Sequence, residues 1–181
     1  MRVCYDTATR WPLRLDASVL TMGAFDGVHR GHQALLRQAQ RRAWHHGVPF
    51  VILTFDPPPR TLFEGARLLT PLPEKLRRLS AFGPDYVVVV VFDRAYAALS
   101  AYDFIKRISW VNPIEIWVGK DFKFGKNREG NVETLARYFN VREFVKVRDH
   151  TGKIISSSRI RSLLLQQQIE QARSLMGWYY E

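Results

Sequence analysis

The run Tyr86-Val-Val-Val-Val-Val-Phe92 constrains the fold of this chain more than any other stretch. Seven consecutive apolar residues rich in valine favour an extended strand. A strand with one wet face would alternate apolar and polar residues. This one does not, so both of its faces must be covered. Shorter stretches at 19–22, 50–55, 114–118 and 144–147 also read as strands. Between them apolar residues recur at helical spacing. Leu35, Leu36, Ala39 and Ala43 mark 33–45, and Leu76 and Leu79 mark 74–82. Phe104, Ile105 and Ile108 mark 101–111, and Leu135 and Phe139 mark 132–139. Two short helices are expected at 158–167 and 169–176. Strand–helix alternation of this kind implies an α/β fold: a Rossmann-like, doubly wound parallel sheet of about five strands with helices on both faces. Ligands of such sheets sit beyond the carboxyl ends of the strands, where the strand order reverses. The loops after 19–22, 50–55 and 114–118 all leave carboxyl ends, so they are expected to form one site.

The length, 181 residues, suits a single domain over 1–181. No apolar run approaches the length needed to span a bilayer, and the N-terminus lacks the apolar core of a secretory signal. The single cysteine, Cys4, excludes an internal disulfide and fits a reducing compartment, so a cytoplasmic protein is expected. Lys and Arg number 27 against 17 acidic residues, a net charge of +10 that favours acidic partners. The densest basic cluster, Arg37, Arg41, Arg42, His45 and His46, reads as a solvated helix face. Trp44 is the lone Phe, Trp or Tyr in it, too few to stack successive bases, which argues against a nucleic-acid partner. There is no internal repeat, and Asp149-His150-Thr151-Gly152 is the most linker-like turn.

The chemistry concentrates at 21–36, Thr-Met-Gly-Ala-Phe-Asp-Gly-Val-His-Arg-Gly-His-Gln-Ala-Leu-Leu. A strand, a glycine-punctuated loop and a helix start follow one another. This order aims backbone N–H groups and the positive end of a helix dipole at an anion. His29 and His32 add imidazole donors at the same mouth, on what reads as a solvent-facing loop. Asp26, His29 and His32 also suggest zinc, but Gly27 and Gly31 interrupt the spacing and no cysteine stands nearby to close a site. Ser156, Ser157 and Ser158 precede an apolar run, as N-caps do, and with Arg159 and Arg161 they suit a pyrophosphate cradle. Phe55, Pro57, Pro59 and Phe63 read either as a rigid proline loop with core aromatics or as a wall for a flat ring.

The string Gly-Ala-Phe-Asp-Gly-Val-His-Arg-Gly-His resembles the adenylyltransferase module of prokaryotic FAD synthetases, in the nucleotidylyltransferase superfamily. Ordered blocks extend the resemblance over nearly the whole chain: 54–60, Leu69-Thr70 with Glu74-Lys75, 118–125, 127–130 and 155–161. It implies an FMN adenylyltransferase that moves AMP from ATP, with Mg²⁺, onto FMN to give FAD and pyrophosphate. Catalytic roles then fall to His29, His32, Ser157, Ser158 and Arg161. The ATP side would take Gly23, Ala24, Phe25, Asp26, His29, Gly31, His32, Gly119, Ser157, Arg159 and Arg161. The FMN side would take Phe55, Pro57, Pro59, Phe63, Asp121, Phe124 and Arg128, with no metal ligand set assigned. Ala24 replaces a common Asn, Pro58 a common His and Ser158 a Thr. Ile154 stands where the family is usually basic, with Lys153 one place earlier. The resemblance also implies a second, riboflavin kinase module, which this chain lacks. It stops at Gly177-Trp178-Tyr179-Tyr180-Glu181, about where the linker to that module would begin, which fits either a free-standing adenylyltransferase or a piece of a longer protein; FMN is expected from a separate riboflavin kinase. The other readings are transfer to a different phosphate acceptor, or a degenerate paralogue that binds flavin, nucleotide or RNA.

Overall fold

In the computed structural model, residues 1–178 are described, so the end of the 177–181 tail lies outside the described residues. The elements run β1 (Arg2–Asp6), β2 (Ser18–Met22), α1 (Arg30–His46), β3 (Phe50–Asp56), α2 (Pro59–Glu64), α3 (Leu72–Ser80), β4 (Tyr86–Val91), α4 (Arg94–Ala97) and α5 (Ala101–Ser109). Then come β5 (Pro113–Gly119), a 3₁₀ turn (Lys126–Arg128), α6 (Val132–Ala136), β6 (Val141–Phe144), α7 (Ser157–Leu165) and α8 (Ile169–Met176).

The valine run sits where its composition requires. In β4, Val87 and Val89 pack on one side of the sheet with Leu35, Leu36 and Ala39 of α1 and Leu79 of α3. Val88 and Val90 pack on the other with Phe104, Ile105 and Ile108 of α5. The six strands are all parallel in the order β1-β4-β3-β2-β5-β6. From β2 the chain builds outward through β3 and β4, then returns to place β5 and β6 on the other side. The order therefore reverses between β2 and β5. A smaller third core joins Ile160 and Leu163 of α7 to Ala172, Leu175 and Met176 of α8.

Two strands depart from the sequence expectation, and both are edges. β1 is short and carries Arg2 and Asp6, so no apolar run announces it. β6 lies at Val141–Phe144 instead of 144–147, because edge strands tolerate charges such as Arg142 and Glu143. Val145, expected inside that strand, is exposed. The proline loop also folds further than expected. Pro59 opens the short helix α2, at a position where its missing N–H costs nothing. The basic face of α1 is only partly solvated, since Arg42 and His46 both reach the buried Glu115 carboxylate.

Candidate active site

The loop between β2 and α1 is tight. Phe25 and Val28 hold positive φ angles of 47° and 43°, unusual for non-glycine residues and especially for a β-branched one. Several contacts hold the loop there. Gly27 donates its N–H to Thr70 Oγ1 (3.0 Å) and accepts at its carbonyl from the buried Arg78 (2.8 Å). The Val28 carbonyl accepts from Gln33 Nε2 and Trp178 Nε1. The Asp26 carboxylate accepts from the Leu69 and Thr70 amides and from Arg161 (2.5 Å). Ser157 Oγ donates to the Asp26 carbonyl at 2.9 Å.

Both histidines belong to the start of α1 and not to an open loop, which corrects the sequence expectation. His29 is the N-cap, and its Nδ1 accepts the His32 backbone N–H at 3.3 Å. That bond leaves the ring proton of neutral His29 on Nε2. His32 stacks on His29 with ring centroids 3.6 Å apart, and Phe25 meets His32 edge-on at 5.3 Å. Gly31 leaves little room here: a Cβ would lie 3.1 Å from the His29 ring, which would have to give by a few tenths of an ångström. Burial lowers the His29 pKa to about 4. Burial, with help from the charges of His29 and Lys75, also holds His32 well below the imidazole range. Both rings are thus neutral at pH 7.

The sign of the pH effect follows. Between pH 6.5 and about 4 the unfolded chain binds a proton at His29 that the folded chain refuses. The stability contributed by this group is therefore complete above 6.5 and is lost as pH falls through that window. Asp6, which burial raises to about 6, contributes in the opposite sense and loses stability as pH rises towards 6. A residue-specific probe separates the two. The His29 ring resonances should titrate by NMR with a midpoint near 4; a midpoint at 6 or above would contradict the buried, neutral pair.

The His loop opens onto a cleft of about 1280 Å³ at the strand-order reversal. Ala24, Asp26, His29, Gly31, His32 and Gly119 line one part of it, and Ser157, Ser158 and Arg161 line another. Phe55, Pro59, Phe63, Asp121, Phe124 and Arg128 complete the set that sequence brings to this cleft. Four expected residues do not line it. Phe25 is buried in the core beneath His32, Gly23 packs against the Phe25 ring, and Pro57 gives way to Pro58 as a lining residue. Arg159 turns away, to Asp149 (2.5 Å) and the carbonyls of Lys153 and Ile154. Lys153 and Ile154 themselves lie outside the lining, so Ile154 leaves no gap in the cleft wall. Asp121 is exposed and pairs with Lys146.

Sequence reasoning missed Phe92 and Tyr96. Phe92 stands perpendicular to Phe55 (5.7 Å) and Phe63 (5.9 Å) and lies 6.0 Å from Tyr96, so the four rings form one aromatic wall. Their signal was an aromatic residue one step and five steps past the valine strand. Tyr96 is fixed from behind, donating to Asp6 (2.5 Å), which also pairs with Arg107 (2.7 Å). Lys75, fully buried, donates to the Phe55 carbonyl at 2.7 Å and so ties α3 to the base of this wall.

The family described as FAD synthetase matches residues 12–159. A protein of Geobacillus thermodenitrificans, whose name pairs riboflavin kinase with FMN adenylyltransferase, is 49% identical over 166 residues, covering 92% of this chain and 93% of that one. The bifunctional riboflavin kinase/FMN adenylyltransferase of Escherichia coli K12 is 39% identical over 90% of this chain, but the match spans only 55% of its own length. That of Listeria monocytogenes is 34% identical, with 90% and 54% covered. The chain thus spans about half the length of several curated relatives. A solved structure from Streptococcus pneumoniae, described as a macrolide-efflux protein, superposes over 98% of this chain and 62% of its own with a TM-score of 0.84 and 30% identity. No helix among the described residues is long and apolar enough to cross a membrane. The match over most of its length, together with relatives that reach 49% identity, establishes that this chain belongs to the FAD synthetase family.

Proposed function

We propose that this domain is an FMN adenylyltransferase that converts ATP and FMN to FAD and pyrophosphate. One observation carries the reading: two helix N-termini, that of α1 with its histidine pair and that of α7 with its serines, open onto one cleft whose far wall is aromatic. The first part suits a chain of phosphates, the second a flat ring system. A preorganised wall with α2 and the proline segment loses little entropy when a ring docks against it.

In the proposed reaction an oxygen of the FMN phosphate attacks the α-phosphorus of ATP. A new P–O bond forms as the bond to the β-phosphate oxygen breaks, and the electron pair leaves on pyrophosphate. Such transfers need positioning and charge stabilisation more than covalent help. His29 Nε2–H and the amides at the start of α1 donate to the oxygens on which charge develops. The α7 terminus receives the leaving pyrophosphate. Mg²⁺ belongs to the proposal as the ion carried by ATP; among the described residues no group of three or more His, Cys, Asp or Glu side chains is arranged to hold a metal. The proposal further places the domain in the cytoplasm, in keeping with its single buried, unpaired cysteine. Its FMN comes from phosphorylation of riboflavin, the other activity in the relatives' names.

Incubation with ATP, Mg²⁺ and FMN should yield FAD and pyrophosphate in equal amounts, followed by chromatography and a coupled pyrophosphate assay. Failure to form FAD while another phosphate compound becomes adenylylated would assign the cleft to a different acceptor.

A further inference from the structure

We propose that Arg60 is a phosphate ligand of this cleft and grips the pyrophosphate portion of ATP at the start of α7. The assignment rests on the adenylyl-transfer reading and adds a residue to it. Arg60 belongs to α2, on the aromatic side. Its Nη1 nevertheless donates to Ser158 Oγ at 2.6 Å, a contact between residues 98 apart in sequence. Both residues line the cleft, so the guanidinium spans from one wall to the other.

The serines at this helix end are not equivalent. Ser156 Oγ caps the Arg159 amide and Ser157 Oγ donates to the Asp26 carbonyl, so both hydroxyls serve the fold. Ser158 instead presents its hydroxyl to Arg60. The cations at the same helix are similarly engaged. Arg159 pairs with Asp149, while Arg161 pairs with Asp26 and donates to the Arg67 carbonyl.

What holds Arg60 in this pose is weak by comparison: a neutral hydroxyl, and Glu64 at 3.6 Å in a pair that is half exposed on both sides. Exposed pairs of this kind contribute little. A planar guanidinium matches a phosphate in a two-pronged, charge-assisted arrangement that a hydroxyl cannot offer. Arg60 therefore exchanges Ser158 for phosphate oxygens when the triphosphate enters, and the first turn of α7 supplies amides to the same group.

Arg60→Gln and Arg60→Lys test the assignment, with pyrophosphate affinity measured by calorimetry and KM determined separately for ATP and FMN. Arg60 is more than half exposed, so thermal melts should match the native protein. Arg60→Gln should weaken pyrophosphate binding and raise KM for ATP by roughly tenfold to a hundredfold, with KM for FMN unchanged. Arg60→Lys should fall between, because it keeps the charge and loses the fork. Unchanged pyrophosphate affinity in Arg60→Gln would overturn the proposal, as would a change confined to FMN. Should the native protein make no FAD, the adenylyl-transfer reading falls, while the pyrophosphate titration still decides the role of Arg60.

Discussion

His32→Ala should lower turnover by on the order of 10²–10³-fold, the usual consequence of removing one donor from a site where charge develops. The loss should appear in kcat, because the proposal sets the His32 ring beside that of His29 in the cleft, where charge grows during transfer. His29 requires a more careful substitution. Its ring caps α1 as well as facing the cleft, so His29→Ala removes a cap whose loss costs about 1 kcal/mol. Asn is a good N-cap, so His29→Asn keeps an acceptor for the His32 amide and removes the imidazole. Turnover should fall as far as in His32→Ala while the melting temperature stays near that of the native protein. Steady-state kinetics and thermal melts on the same preparations check both statements. Near-native turnover in either variant would remove the histidines from the chemistry.

Asp26→Ala should be the most destabilising single change near the cleft. The carboxylate is almost completely buried, accepts from two backbone amides and pairs with Arg161. Its removal strands those donors and leaves a guanidinium facing an uncompensated gap. Breaking a buried pair in this way costs about 3–5 kcal/mol. For a domain of this size that lowers the melting temperature by on the order of 10 °C. Asp26→Asn should lose less, because its amide oxygen still accepts from Leu69 or Thr70. A melt within a degree or two of native for Asp26→Ala would show that the loop is held by its other contacts alone.

Much of the architecture was legible because its signals are apolar and periodic. The valine run gave a doubly covered strand, and the strand–helix alternation gave a parallel sheet whose cleft lies beyond the carboxyl ends of its strands. The edges were not legible, because β1 and β6 carry charges and bury little. α2 hid behind prolines that normally suggest a loop. Within the cleft, the His motif and the serines could be found from residue type and spacing alone. Burial could not: His32 is packed between the His29 ring and Phe25, whose place follows from a positive φ that residue type does not announce. Arg159 is a similar case, since only the fold brings Asp149 to it. Phe92 and Tyr96 look like ordinary core residues until Phe55 and Phe63 are seen against them.

The stretch from Leu69 to Arg78 has a consequence of its own. Its backbone and Thr70 hold Asp26 and Gly27, its Arg78 holds the Gly27 carbonyl, and its Lys75 holds the Phe55 carbonyl. It thus acts as a second tie between two walls that already meet where β2 pairs with β3 and where Thr54 Oγ1 donates to the Ala24 carbonyl. A shift of α3 moves the phosphate grip and the ring platform together. Retuning this scaffold for another acceptor is therefore a coupled problem: repacking the aromatic wall through α3 also disturbs the histidine loop, whereas changes carried by α2 and the segment after β4 leave the tie intact.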